Sequence, residues 1–160
     1  MIRAFDPTVH NRIANDPSVF PYIVPAMGGD LFAGPVDFTE CAARPDDYVL
    51  VHNGKFEGDP EADAAMIFEW RAPDVWEMHT MFLPSCRGGT KSLNQATEFV
   101  EYMFANGAEI VWGVVAIGNE RARAFFLKAG GKSKRFKDHH ILGPVEEFSV
   151  TKSQWATLRR

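Results

Sequence analysis

The sequence predicts a mixed α/β (α+β) fold: a mostly antiparallel central sheet that contains one parallel βαβ unit, with helices on both faces. Several short segments rich in β-branched and aromatic residues are typical of strands. Two later segments instead repeat apolar residues every three or four positions, as amphipathic helices do. The first of these helices lies between two strand-like segments. We therefore expect a right-handed crossover and parallel pairing of its two strands.

Size and composition limit the class of protein. A chain of 160 residues with 46% hydrophobic residues predicts a single domain, 1–160, with a core that needs no disulfide or metal. The net charge of −4 argues against nucleic-acid binding, which depends on cations that face phosphates. We find no signal peptide and no apolar stretch of about 18 residues, so we predict no membrane span. Cys41 and Cys86 fit a reducing compartment, and we expect a cytoplasmic protein.

The N-terminal half is predicted to supply an antiparallel part of the sheet. Its strands are expected at 2–5, 48–52, 64–70 and 75–83. Pro73-Asp74 turns the last two into a hairpin. Between the first two strands, two Asp-Pro pairs bound a short helix within 6–17. Proline and glycine then predict a loop over 21–46, with at most one helical turn at 36–43.

The C-terminal half changes to helical spacing and back. The predicted elements are a helix at 91–106, a strand at 109–117, a helix after Asn119, and strands at 132–137 and 145–151. Asn119 is a good N-cap, and Gly130-Gly131 ends that helix. Thr151 and Gln154 have the spacing of a capping box, which favours a short terminal helix.

The junction between strand 75–83 and helix 91–106 is the strongest local signal for a ligand. It reads Leu-Pro-Ser-Cys-Arg-Gly-Gly-Thr-Lys-Ser over 83–92. The first N–H groups of a helix have no intrahelical partner and attract anions, and small residues let an anion approach the backbone. Arg87 and Lys91 add positive charge. The sequence therefore predicts a phosphate-binding turn. The alternative is an ordinary connection in which glycine only permits a tight turn.

This junction resembles the cofactor loop of the GNAT superfamily of acetyl-CoA-dependent N-acetyltransferases. In that family a strand ending in a Val-x-Pro-like step is followed by Arg/Gln-x-x-Gly-x-Gly/Ala. Here Phe82-Leu83-Pro84 stands at the step, and Arg87 opens the loop. Thr90 and Ser92 replace the later small residues.

A second stretch, 118–131, is similar to the family pattern Asn-x-x-Ala-x-x-Phe-Tyr-x-x-x-Gly-Phe. Asn119, Ala122, Phe125 and Gly130 match it. Phe126 stands where many members have a Tyr that acts as general acid. A Phe packs against a cofactor but cannot protonate a leaving thiolate.

The resemblance implies acetyl-CoA as the cofactor and a set of residues that hold it. That set is Met81, Phe82, Leu83, Arg87, Gly88, Gly89, Thr90, Lys91, Ser92, Asn119 and Phe126. Backbone groups near Met81 to Leu83 are expected to hold the pantetheine amides, and residues 87–92 the pyrophosphate. The thioester carbonyl is expected where the two parallel strands separate, polarised by a backbone N–H.

Two side chains are candidates for the general base that takes the proton of an attacking amine. Glu77 resembles the position of a base in some family members. Strand alternation places His79 on the same face, and histidine titrates near neutral pH. The implied reaction is direct acetyl transfer to an amine of a small molecule or a protein. The departures at Thr90, Ser92 and Phe126 leave a second function open, namely a catalytically inactive structural or interaction module. A longer acyl chain and a homodimer also remain open.

Three other features receive plainer interpretations. Asp138, His139 and His140 lack a second ligand pair at metal spacing, so we predict no metal site. Cys86, near a helix start, is either a reactive thiol or, as we expect, a small packed residue. The basic run 132–137 predicts a solvated edge strand, with attraction of the adenosine phosphate of CoA as the alternative.

Overall fold

The computed structural model describes residues 1–23, 34–139 and 142–158. The strands in these ranges are β1 Ile2–Ala4, β2 Tyr48–His52, β3 Ala64–Ala72, β4 Val75–Phe82, β5 Ile110–Ala116, β6 Lys132–His139 and β7 Gly143–Thr151. The helices are α1 Thr8–Ala14, α2 Phe20–Ile23, α3 Thr39–Ala42, α4 Lys91–Ala105, α5 Glu120–Lys128 and α6 Lys152–Leu158. None of these helices is long and apolar enough to cross a membrane.

The described strands form one sheet in the order β1-β2-β3-β4-β5-β7-β6. Every neighbouring pair is antiparallel except β4 and β5, which are parallel. The predicted mixed sheet with one βαβ unit is therefore confirmed. The β3–β4 hairpin turns at Pro73-Asp74 as predicted, and Asp74 has φ 61°, a left-handed conformation that aspartate tolerates. Part of the predicted loop 21–46, residues 24–33, lies outside the described residues.

Helices cover both faces of the sheet, as predicted. On one face, here called the α4 face, side chains of α4 and α6 pack on strand residues such as Phe68, Val111 and Phe148. On the opposite face, the α1 face, Val9 and Ile13 of α1 pack on neighbouring strands. The two sets of strand residues alternate along β3, because successive side chains of a strand point to opposite faces.

The parallel pairing of β4 with β5 is short. It covers only Val75↔Ile110, Trp76↔Val111 and Glu77↔Trp112. Beyond Glu77, β4 still pairs with β3 as far as Phe82. Beyond Trp112, β5 still pairs with β7 as far as Ala116. The two strands therefore separate after three pairs and leave a gap between them, and the predicted separation is confirmed.

Candidate cofactor-binding and active site

A groove of about 520 Å³ lies beside the separated strands. Thr80 and Phe82 of β4 line it, together with the turn 87–89 and the exposed side of α5. Val19, Tyr22 and Ile23 contribute from the segment around α2. The cofactor loop and the Asn119 stretch, which are distant in sequence, thus meet in one place.

The backbone of β4 presents unpaired groups to the gap. Leu83 N–H donates to Asp63 C=O at 2.9 Å, on the β3 side. Because N–H and C=O directions alternate along a strand, the backbone groups of 78, 80 and 82 face β5 instead. Consistently, a Cβ built on Gly113 of β5 would lie 3.3 Å from Met78 C=O. Past that point no strand of the described part of the chain pairs with β4 on this side, so Thr80 N–H and C=O and Phe82 N–H face the gap.

The same alternation turns Met81 and Leu83 away from the gap. The backbone groups of Met81 and the N–H of Leu83 face β3, whereas the C=O of Leu83 accepts from Cys86 N–H at 2.9 Å in the following turn. Met81 is 1% exposed within the core of the α1 face. The orientation therefore does not support the pantetheine contacts predicted for these two residues. Of the predicted trio, Phe82 alone has a backbone N–H directed at the gap, and sequence reasoning missed Thr80.

The turn into α4 forms a cradle of amide groups. Gly88 and Gly89 have φ 98° and 53°, which only glycine adopts readily. The first backbone bond of α4 runs from Asn94 N–H to Thr90 C=O at 2.8 Å. Within the described ranges, the amides of residues 88 to 93 donate to no acceptor, and Thr90 gives no side-chain cap. This run of amides at a positive helix end is suited to an anion.

Arg87 and Lys91, predicted to add positive charge here, bind protein oxygens. Arg87 Nε donates to Phe82 C=O at 2.8 Å, and its Nη2 donates to Ser18 C=O at 2.9 Å. Lys91 Nζ lies 2.5 Å from Asp63 Oδ2, and this bond raises the pKa of Lys91. The direct acceptors of Arg87 are neutral carbonyls, and the carboxylate of Asp16 lies within electrostatic range of it, whereas Asp63 binds Lys91 directly.

The far wall of the groove comes from α5. Asn119 caps this helix through its side-chain oxygen, which accepts from Ala122 N–H at 3.2 Å. Phe126 is 6% exposed, and its ring stacks on Phe148 with centroids 5.4 Å apart. Phe82 and Phe125 pack against each other at 5.7 Å. Aromatic rings therefore form the apolar floor of the groove.

Glu77 and His79 share the α1 face, as alternation predicted, and meet two residues that sequence reasoning missed. Arg71 Nε donates to Glu77 Oε2 at 2.7 Å, and Arg71 Nη2 donates to Glu69 Oε2 at 2.8 Å. His79 Nε2 lies 3.4 Å from the same Glu69 oxygen. The contact with His79 and the charge of Arg71 lower the pKa of Glu69. Glu77 is 5% exposed and held as the partner of Arg71, while His79 is half-buried and accessible.

An irregularity of the hairpin hides this pair from the sequence. Counting back from the Ala72–Val75 pair would place Trp70 opposite Glu77, but a register shift between Trp70 and Ala72 places Glu69 there instead. Two facing carboxylates repel each other unless a cation lies between them. Arg71 occupies that position. The ligand atoms of Glu69, Glu77 and His79 lie within 4.8 Å of one another, but the guanidinium already supplies the positive charge that a metal ion would bring.

Cys86 has the properties of a packed residue. It is 0% exposed, and burial raises the pKa of its thiol to about 11. A thiol of this pKa is protonated at neutral pH and is a poor nucleophile. The structure thus favours the packing interpretation over the reactive one.

Comparisons with known proteins agree on the fold. The sequence matches no family model and no curated protein. Among solved structures, aminoglycoside acetyltransferase AAC(6')-Ib in complex with coenzyme A and kanamycin is 14% identical, with a TM-score of 0.73 over 100% of this chain and 98% of that one. The microcin C7 self-immunity acetyltransferase MccE, in complex with acetyl-CoA and AMP, is 11% identical, with a TM-score of 0.69 over 93% and 89%.

A mutant of the spermidine N-acetyltransferase SpeG from Vibrio cholerae is also 11% identical, with a TM-score of 0.63 over 81% of this chain and 84% of that one. At these identities the likeness concerns the shape of the chain. Strand order, the single parallel pair and the early separation of β4 from β5 all agree with it. The chain has the GNAT fold.

Proposed function

We propose that this protein is an N-acetyltransferase that moves an acetyl group from acetyl-CoA to an amine by direct transfer. The observation that carries the proposal is the gap between β4 and β5, which leads from unpaired backbone groups of Thr80 and Phe82 to the unpaired amides of 88–93. The similar structures AAC(6')-Ib and MccE contain CoA and acetyl-CoA, respectively.

The residues present fit this cofactor. The amides of 88–93 and the positive end of α4 would hold the pyrophosphate. Phe82 N–H would pair with a pantetheine amide, and the rings of Phe82, Phe125 and Phe126 would pack against the arm. Thr80 N–H lies deeper in the gap and would donate to the thioester carbonyl. When bound, acetyl-CoA supplies an activated acyl group.

On the α1 face, His79 is the better candidate for the base. Glu77 is buried and already bound to Arg71, so an incoming amine has little access to its carboxylate. His79 is accessible, and its Nε2 lies 3.4 Å from Glu69 Oε2. We therefore assign proton acceptance to His79 and a structural role to Glu77. Phe126 contributes packing and supplies no proton.

Thermal shift with acetyl-CoA tests the binding step. Stabilisation is expected to grow as RT ln(1 + [L]/Kd), which is about 2.7 kcal/mol at a ligand concentration of 100 Kd. Ser92→Glu places a carboxylate among the amides of the cradle, where it stabilises the helix start but competes with a phosphate. We expect this variant to melt no lower than the parent and to lose the shift.

Ser92→Gln is the matched neutral control and should keep most of the shift. If acetyl-CoA at millimolar concentration shifts neither the parent nor Ser92→Gln, the proposal fails. The inactive structural or interaction module is then favoured.

Steady-state kinetics test the base. Spermidine and kanamycin, the amines named for two of the similar structures, serve as first acceptors, with release of the CoA thiol as the readout. Loss of a general base typically costs about 10²- to 10⁴-fold, so His79→Ala should lower kcat/KM by that order. It should also change the pH dependence of kcat/KM, while acetyl-CoA affinity stays unchanged.

Glu77→Gln is the contrasting variant. It removes the charge of the buried carboxylate that binds Arg71, so we expect a lower melting temperature and a smaller loss of kcat/KM. A His79→Ala enzyme with the parent's rate and pH profile would remove His79 from the mechanism.

A further inference from the structure

Arg87 joins three parts of the groove that are distant in sequence. Its Nε donates to Phe82 C=O at 2.8 Å, and its Nη2 donates to Ser18 C=O at 2.9 Å. Phe82 ends β4, Ser18 lies two residues before α2, and Arg87 itself begins the turn that forms the cradle of amides. This one half-buried side chain therefore links β4, the cradle and the chain that enters α2.

The bond to Phe82 satisfies the open edge of β4. The backbone groups of 82 are directed toward β5, but the pairing of β4 with β5 ends at Glu77. Phe82 C=O therefore has no strand partner on that side, and Arg87 supplies its donor. A guanidinium holds its N–H groups in a fixed plane. The bond to β4 thus also sets the direction of the Nη2 group that reaches Ser18.

The α2 segment, residues 16–23, has few polar links to the rest of the groove. Ser18 N–H donates to Asp16 Oδ1 and Val19 N–H donates to Asp16 C=O, each at 2.8 Å, so these bonds stay within the segment. Val19 also packs in the core of the α1 face. Among the described residues, the bond from Arg87 is the only hydrogen bond between this segment and the cofactor loop or the sheet. This wall of the groove therefore depends on Arg87 for its connection to the cradle.

We propose that Arg87 is a positioning residue that couples the cradle to the α2 segment, so that a diphosphate bound to the amides of 88–93 also stabilises the α2 segment. This inference rests on the proposed function. A bound diphosphate restricts the backbone next to Arg87, and with it the guanidinium that holds Ser18. Ordering of one site then lowers the cost of ordering the other. Direct charge contact with the diphosphate is the competing role, and it differs because any cation at 87 would fulfil it.

Hydrogen–deuterium exchange with CoA as the ligand tests the coupling, because exchange rates report local opening. In the free protein, Arg87→Gln should speed exchange in the α2 segment by about tenfold, since it removes a hydrogen bond from a charged donor. In the parent, saturating CoA should slow exchange in both the cradle and the α2 segment. In Arg87→Gln and Arg87→Lys, CoA at equal occupancy should slow exchange in the cradle alone. Lysine keeps the charge but lacks the planar fork that reaches both carbonyls.

Lys55→Gln is the control, since it removes an exposed cation outside the groove, and it should behave as the parent does. Protection of the cradle without protection of the α2 segment in the parent would overturn this inference and leave the proposed function intact. Protection of both regions in Arg87→Lys would show that charge alone suffices and overturn it as well. Absence of cradle protection in the parent at millimolar CoA would instead overturn the proposed function.

Discussion

At the scale of single residues, the lack of a side chain at Gly113 leaves room for the Phe126 ring in the floor of the groove. A Cβ built on this residue would lie 3.0 Å from Phe126 Cζ and 3.3 Å from Met78 C=O. Both distances are shorter than ordinary van der Waals contacts of a methyl group. The missing side chain on β5 thus makes room for the Phe126 ring at the point where β4 and β5 separate.

Gly113→Ala should therefore destabilise the protein by about 1–3 kcal/mol through overpacking and weaken acetyl-CoA binding, because the Phe126 ring must move into the groove. Denaturant unfolding and the thermal-shift titration measure the two effects. Gly34→Ala is the control, since its added methyl meets nothing within 4 Å. Phe126→Leu should restore part of the loss in the Gly113→Ala background and not in the parent. Parent-like stability of Gly113→Ala would contradict this account.

The sequence predicted the roles of residues that depend on their neighbours along the chain. It did not predict roles that depend on contacts between distant elements. The Asn119 cap follows from one residue at a helix start, and it is confirmed. The shared face of Glu77 and His79 follows from alternation alone. Glu69 and Arg71 were missed because their contacts depend on the register of two strands. Nothing local to Lys91 reveals that its side chain binds Asp63.

At the scale of elements, local signals predicted helix ends better than strand ends. The Thr151–Gln154 capping box is confirmed in both directions: Thr151 N–H donates to Gln154 Oε1, and Gln154 N–H donates to Thr151 Oγ1, each at 3.2 Å. In contrast, β6 extends to His139, two residues beyond the prediction, because His139 pairs with Gly143. An exposed edge strand has no apolar alternation by which its end could be recognised.

The capping box gives a prediction for α6, which places Trp155 against Phe104 in the core of the α4 face. Thr151→Val removes the hydroxyl that caps the helix, and we expect a loss of about 1 kcal/mol in the free energy of unfolding. Chemical denaturation followed by Trp fluorescence measures it. Thr157→Val is the control, because among the described residues that hydroxyl donates only to Ser153 C=O within the same helix. Equal losses in the two variants would mean that the cap contributes nothing specific.

At the scale of the whole molecule, two buried histidines connect α1 with the sheet. His10 and His52 are each 0% exposed, with ring centroids 6.0 Å apart. His10 Nε2 lies 3.1 Å from Val51 C=O, and His52 Nδ1 accepts from Gly54 N–H at 3.0 Å. Burial, with the neighbouring His52, lowers the pKa of His10 to about 4, and burial also lowers the pKa of His52.

This pair predicts acid sensitivity of the whole fold. Unfolded His10 binds a proton near pH 6.5, whereas folded His10 does so only near pH 4, so stability falls as the pH drops between these values. The expected loss from His10 is about 3 kcal/mol across that window, with none above it. The free energies of unfolding of the parent and of His10→Gln should differ at pH 7, and this difference should shrink toward pH 4. An NMR titration that places the His10 pKa above 6 would contradict this prediction.

The overall architecture was predictable because strand-like segments dominate the N-terminal half and helical spacing appears in the C-terminal half. The Asn119 stretch directly follows the expected βαβ unit. The gap was not predictable from periodicity. The continuous apolar run 109–117 is equally typical of a strand that is paired along its whole length. The separation was expected only through the family resemblance. The conclusion about cofactor binding therefore depends on the gap more than on any single motif.

The three-pair ladder between β4 and β5 has a mechanical consequence. It divides the sheet into a four-stranded part, β1 to β4, and a three-stranded part, β5 to β7, that share very few backbone hydrogen bonds. One apolar cluster holds the two parts together. It includes Phe68 of the larger part, Val150 of the smaller part and Val100 of α4. The width of the gap thus depends partly on side chains that do not line it, such as Phe68, Val100 and Val150. Conservative substitutions of these distant residues can therefore change which ligands fit the gap while every residue that lines it stays the same.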